Sequence, residues 1–139
     1  MIRRTGRFRT FESVGEDLTL RASELLAKAV DKRLARSRIV CDDDNNLWEI
    51  GNALDSFSHG YILRGEDEYL FIGYAVYSDR IEVGYSYQKD GDEVSEKDMF
   101  FVVHLDGVFN RDGSIQMADI RNEAECIVDD LSLVLHKKL

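Results

Sequence analysis

The reading of this chain turns on residues 68–88, Glu68-Tyr69-Leu70-Phe71-Ile72-Gly73-Tyr74-Ala75-Val76-Tyr77-Ser78-Asp79-Arg80-Ile81-Glu82-Val83-Gly84-Tyr85-Ser86-Tyr87-Gln88. The side chains alternate at a period of two, the repeat of a strand and not the 3.6 of a helix. Glu68–Ser78 and Arg80–Gln88 are therefore expected as successive strands joined near Ser78-Asp79. In the second, Ile81, Val83, Tyr85 and Tyr87 share one face, and Arg80, Glu82, Ser86 and Gln88 share the other. That division suits an antiparallel sheet with one packed face and one wet face. In the first, Tyr74 falls on one face and Tyr69, Phe71 and Tyr77 on the other.

Downstream, Met99–Asp106 reads as a third strand, reached through Lys89–Asp98 with its Asp90-Gly91 turn. Arg111-Asp112-Gly113-Ser114 predicts another turn, followed by a short strand near Ile115–Ala118. Asn122 is expected to cap a last helix with Glu125 at its N3 position. Its apolar stripe is Ala124, Ile127, Val128, Leu131, Val134 and Leu135.

Upstream, Leu47–Phe57 fits a short helix through Leu47, Ile50, Leu54 and Phe57, with Trp48 off that face. Asp42-Asp43-Asp44-Asn45-Asn46 reads as a loop or a cap. Before it, Ser13-Val14-Gly15-Glu16 has capping-box spacing and predicts a helix to about Arg36. Leu18, Ala22, Leu25, Leu26, Ala29, Val30 and Leu34 form its apolar stripe, with a basic row of Arg21, Lys28, Lys32 and Arg36 away from it. Residues 2–11 read as a short strand with Arg3, Thr5, Arg7 and Arg9 on one face. The expected fold is α+β: an antiparallel meander of four to five strands with an amphipathic helix near each terminus, packed on one face. A single domain over residues 1–139 is expected, since no linker, repeat or proline interrupts the chain.

A chain of 139 residues can bury a real core without staples. Its longest apolar run, Leu70–Val76, is far short of the roughly 20 residues of a spanning helix, and no membrane association is expected. The N-terminus has the charge of a signal peptide with no apolar stretch behind it. Two cysteines are too few for a disulfide framework, so a reducing cytoplasm is expected. The net charge of −9 hides a split. Residues 1–40 carry ten Lys/Arg against five Asp/Glu, and residues 41–139 carry eight against twenty-two. So acidic a remainder repels phosphates, and direct nucleic-acid binding is not expected. The same field attracts basic protein surfaces and speeds encounter with them.

Tests for chemistry return little. Asn110–Ile115 fits part of a calcium loop, but Val108 stands where the first carboxylate is required. Leu47 replaces the needed glycine in the Asp42–Asn46 run. Cys41, Cys126, His59 and His104 could in principle hold zinc, yet no pair has the close spacing of a knuckle. Cys126 reads as a small core residue, His104 as a strand residue and His136 as a cation near a helix C-terminus. Ser58-His59-Gly60 sets a hydroxyl beside an imidazole, but neighbours on an extended chain point apart. Neither a nucleophile elbow nor a phosphate-cradling glycine loop is present. No metal, no cofactor and no catalytic residue is assigned.

What remains points to binding. Tyr69, Tyr74, Tyr77, Tyr85 and Tyr87 crowd two strands, either as core or as an interface. Tyr77 and Tyr87, near strand ends, are the expected partner anchors. The expected partner-binding carboxylates are Asp42, Asp43 and Asp44, with Asp90, Asp92, Glu93, Glu96 and Asp98. Together they would imitate backbone phosphates and occlude a basic groove, as toxin-immunity proteins and phage anti-defence inhibitors do. The expectation is a small acidic inhibitor acting stoichiometrically on a basic macromolecular partner. One alternative is a small enzyme or ligand-binding domain with a pocket between helix and sheet. Another follows from fold and charge alone: the layout is similar to that of type III secretion chaperones, which implies an effector binder. Arg3, Arg7, Arg9, Arg21, Lys28, Lys32 and Arg36 offer a basic face through which a homodimer is expected.

Overall fold

The computed structural model describes residues 11–46, 52–63 and 67–139, with backbone alone at 11–16 and 43–46. A long helix α1 (Phe11–Ala35) leads into five strands: β1 (Val40–Asn46), β2 (Asp55–Ile62), β3 (Glu68–Val76), β4 (Arg80–Lys89) and β5 (Asp92–His104). A single 3-10 turn over Leu105–Gly107 and the helix α2 (Met117–Leu135) complete it. The strands form one antiparallel sheet in the order β1-β2-β3-β4-β5. Each neighbour in sequence is a neighbour in space, which keeps every connection short.

The α+β meander with a helix near each end is as expected. Both helices pack on one sheet face. Leu26, Val30 and Leu34 of α1 and Ile120, Ile127 and Leu131 of α2 are fully buried there. They meet Leu70, Ile72, Tyr74 and Val76 of β3 and Ile81, Val83, Tyr85 and Tyr87 of β4. Each such Leu or Ile contributes about 1.5–3 kcal/mol by leaving water. The two helices are also tied by charge: Glu125 of α2 takes Arg33 at 2.8 Å and Arg36 at 2.5 Å. Leu139 is buried, and its carbonyl accepts from Ser37 Oγ at 2.6 Å.

The set of strands differs from the expected one. Asp42–Asn46 is part of β1 and not a loop. An edge strand paired on one side only can keep charged side chains in water, so its acids do not oppose strand formation. The Leu47–Phe57 helix is not formed where it can be seen: Asn52–Leu54 turns, and Asp55–Phe57 opens β2. Its remaining positions, 47–51, lie outside the described residues. β2 owes its existence to β3, which pairs with it from Asp55↔Val76 to Ile62↔Tyr69. The expected connection Lys89–Asp98 collapses to two residues, Asp90 (φ 55°) and Gly91 (φ 83°), and β5 starts at Asp92. Positive φ at both central residues is the hairpin turn that matches strand twist.

No strand forms at Ile115–Ala118. Ile115 makes one isolated bridge to Phe109, and α2 begins at Met117. Gln116 is the N-cap, its side chain accepting from Ala118 N–H, so Asn122 is inside the helix. Ser13 is likewise inside α1, because the helix already includes Phe11. That moves residue 11 from strand to helix; the rest of the expected strand, with Arg3, Arg7 and Arg9, lies outside the described residues. Val134 is exposed, leaving Ala124, Ile127, Val128 and Leu131 as the buried stripe.

Candidate functional site

Two places in the fold gather chemistry-bearing side chains. The first is the β4–β5 hairpin. Asp90 occupies its turn, and Asp92, Glu93, Glu96 and Asp98 follow on β5, all exposed. β5 is an edge strand, so one row of its backbone groups faces away from the sheet. Gly84 of β4 lets β5 depart from regular pairing, since a Cβ there would sit 2.3 Å from the Asp98 carbonyl oxygen. The register shifts at that point, from Val83↔Phe101 to Tyr85↔Lys97. The result is a strand end, still paired with β4 from Lys97 back to Asp92, that carries its acids as an acidic arm along the sheet edge.

Asp67, not singled out by the sequence, joins this arm. Its carbonyl accepts from Asp90 N–H at 2.9 Å, which brings the two carboxyls together. A hydrogen bond shared with Asp67, and then the Asp67 charge, raise the Asp90 carboxyl above its ordinary value. Glu93 acts on Glu96 in the same way, by hydrogen bond and then by charge. No arm carboxylate from Asp90 to Asp98 enters an ion pair among the described residues. Glu93 accepts from Ser86 Oγ at 2.9 Å.

The other expected partner residues are placed differently. Asp42 is exposed on β1, where its carboxylate accepts from Tyr69 Oη at 2.8 Å. Asp43 and Asp44 continue β1, and their side chains lie outside the description. β1 and β5 are opposite edges of the five-stranded sheet, about 19 Å apart at the usual strand spacing. The two acidic segments do not form one surface. Tyr87 is not a surface anchor: it is 5% exposed, and its hydroxyl donates to Glu68. The reason is register, since Tyr87 faces the helices together with Ile81, Val83 and Tyr85. Lys137 stands 5.3 Å from the Tyr87 ring centroid and pairs with Glu68 at 2.5 Å. Tyr77 is half-buried, with the Arg80 guanidinium 4.2 Å over its ring. Arg21, Lys28, Lys32 and Arg36 are all exposed along α1, and the last three line a shallow cleft of about 260 Å³ against α2.

The second place lies between α1 and the β1–β2 edge. Asp31 of α1 points at β2 and collects two donors. His59 Nδ1 donates to it at 3.0 Å, and the Tyr61 hydroxyl donates as well. Cys41 of β1 stands directly opposite Tyr61 in the strand register. Ligand atoms of Asp31, Cys41 and His59 all lie within 4.8 Å of one another. Burial pushes the Tyr61 phenol far up, followed by the charges of Tyr74 and Asp31. The Tyr74 hydroxyl is fully buried and without a hydrogen-bond partner in good geometry, although Asp31, Tyr61 and Cys41 are close enough to act on it. Beside this cluster opens a cleft of about 340 Å³, lined by Glu24, Ala27, Lys28, Asp31, Asp55, Phe57 and His59.

Of the four zinc candidates in the sequence, the fold unites Cys41 and His59 and separates the others. His104 ends β5, and Cys126 is exposed on α2 rather than packed in the core. Asp31 was missed because a single aspartate on a helix carries no signal until the sheet is placed beneath it. The Asp112 turn is self-satisfied: its carboxylate accepts from Ser114 N–H and Oγ. Among the described residues no helix is long and apolar enough to cross a membrane. Compared with known proteins, the chain matches no family model, no curated protein and no solved structure.

Proposed function

We propose that this chain is a small acidic binding protein that inhibits a basic macromolecular partner stoichiometrically, without turnover, in the cytoplasm. Its partner is a protein whose basic groove ordinarily meets nucleic-acid phosphates, and the chain itself binds neither nucleic acid nor membrane. The observation that carries the reading is the β5 arm. Five exposed carboxylates stand on one edge strand and the turn that opens it, outside every ion pair of the described residues, and two of them are held above their ordinary pKa by acidic neighbours. Such crowding disfavours the free, fully ionised molecule, and a basic partner removes the penalty. Exposed Val94 and Met99 on the same strand supply apolar area beside the charges.

The test is charge reversal on the arm. Asp92→Lys, Glu96→Lys and Asp98→Lys together are expected to slow association with the partner about tenfold or more at low salt and to flatten its salt dependence. The partner is the basic protein retained from host extract by the wild-type chain. Reversal of Asp42, Asp43 and Asp44 on the far edge is expected to leave the on-rate alone. An on-rate insensitive to the arm variant removes this reading. A second reading, a ligand-binding or enzymatic domain, is favoured by the cleft between α1 and β2, where Asp31 and His59 line one wall.

A further inference from the structure

We propose that Asp31, Cys41 and His59 form a binding site for a thiophilic divalent cation of the zinc class, with its remaining coordination position open to the cleft beside His59. The inference is independent of the β5 arm and uses none of its residues. Three different donors arrive from three different elements: a carboxylate from α1, a thiol from β1 and an imidazole from β2. One sulfur, one nitrogen and one oxygen donor make a set that suits zinc or cobalt and not calcium or magnesium, which take oxygen alone.

The distances are those of a site that closes by side-chain rotation. In a tetrahedral zinc site, ligand atoms stand about 3.3–3.6 Å apart, from bond lengths near 2.0–2.3 Å. Here His59 Nδ1 is already 3.0 Å from Asp31 Oδ1, and every ligand atom is within 4.8 Å of the others. Cys41 and His59 are on adjacent strands and face α1, so the sheet fixes two of the three. Side-chain exposure of 10% for His59 and 26% for Asp31 leaves an approach from the cleft and little water behind.

The second observation is Tyr74. A hydroxyl buried without a partner forfeits its hydration with no hydrogen bond in return. The Tyr61 hydroxyl beside it gives its proton to Asp31 and keeps only its acceptor side for Tyr74. When Asp31 turns its carboxylate to the cation, the Tyr61 hydroxyl is free to rotate and close its contact with Tyr74 into a hydrogen bond of good geometry. A purely structural Asp31 explains His59 and Tyr61 but leaves the Tyr74 hydroxyl without a hydrogen bond of good geometry.

The experiment uses the full chain, freed of metal by a chelator and titrated with cobalt(II) and then zinc(II). One equivalent of cobalt is expected to bind with a thiolate-to-cobalt charge-transfer band, and zinc is expected to displace it. Cys126→Ser keeps both. Cys41→Ser loses the band and weakens binding on the order of tenfold or more, and His59→Gln weakens it similarly. Should either variant fail to fold, peptide-resolved alkylation of the wild-type chain decides. Bound zinc then slows modification of Cys41 and not of Cys126. Absence of the band in the wild-type chain, a band that survives Cys41→Ser, or equal alkylation with and without zinc overturns the proposal.

Discussion

Replacing Tyr87 separates a core tyrosine from an interface tyrosine by the quantity that changes. The side chain is 5% exposed and packs among Ile81, Val83, Tyr85 and the helices. Truncating a buried aromatic to alanine costs about 3–5 kcal/mol in lost burial and cavity formation. Tyr87→Ala also takes one donor from the Glu68 carboxylate, which Lys137 alone then holds. Against a total stability of about 5–15 kcal/mol that is a large share. For a chain of this length each kcal/mol shifts the melting temperature by roughly 3–4 °C, so a fall on the order of 10–15 °C is expected. Tyr87→Phe keeps the ring and removes one hydrogen bond to a charged acceptor, worth about 1.5–3 kcal/mol and partly offset by Lys137. A fall of roughly 5 °C is expected for it. Thermal unfolding by circular dichroism, with urea unfolding to confirm an unchanged slope, reads both. If Tyr87→Ala melts with the wild-type chain and instead weakens partner binding, the ring is at an interface and the reasoning from register fails.

Glu68 sets the acid limb of stability. Hydrogen bonds from Lys137 and then Tyr87 hold its carboxyl below the ordinary value, so the stabilisation is present above the unfolded value of about 4.3 and is lost as the pH falls through the lowered folded value. Glu68→Gln is expected to flatten the dependence of melting temperature on pH in that acid range, and an unchanged slope refutes it. If the exposed row Arg21, Lys28, Lys32 and Arg36 meets the acidic arm of a second copy, light scattering gives a dimer mass at low salt that falls to 16.0 kDa as salt rises. A 16.0 kDa species at low salt and high concentration refutes that pairing.

How far the site was legible follows the same logic as the fold. The acids of the β5 arm could be read directly, because a charged run is visible residue by residue. Their arrangement could not. Lys89–Asp98 has too many charges to read as a strand, and only its pairing with β4 extends β5 back to Asp92. Of the proposed cation site, Cys41 and His59 stood in the sequence among four candidates to which no metal was assigned, and Asp31 brings the carboxylate that completes the set.

By itself the sequence determined the elements whose side chains repeat: β3 and β4 from a period of two, α1 and the body of α2 from a period of 3.6. A face that must be buried imposes its period on the chain, so the period is written in single residues. It also determined the hairpin turn at Asp90-Gly91 and the charge split, which depend on local chemistry. Tertiary structure alone decided the rest. β1 is polar from Asp42 to Asn46, and β2 alternates small residues with Phe57, His59 and Tyr61; both exist because a neighbour accepts their backbone hydrogen bonds. It decided that Tyr87 is core, that Asp42 and Asp92 lie on opposite edges, and that residues 31, 41 and 59 meet. Pairing and packing join positions far apart in the chain, and no local window of sequence contains both members of such a pair.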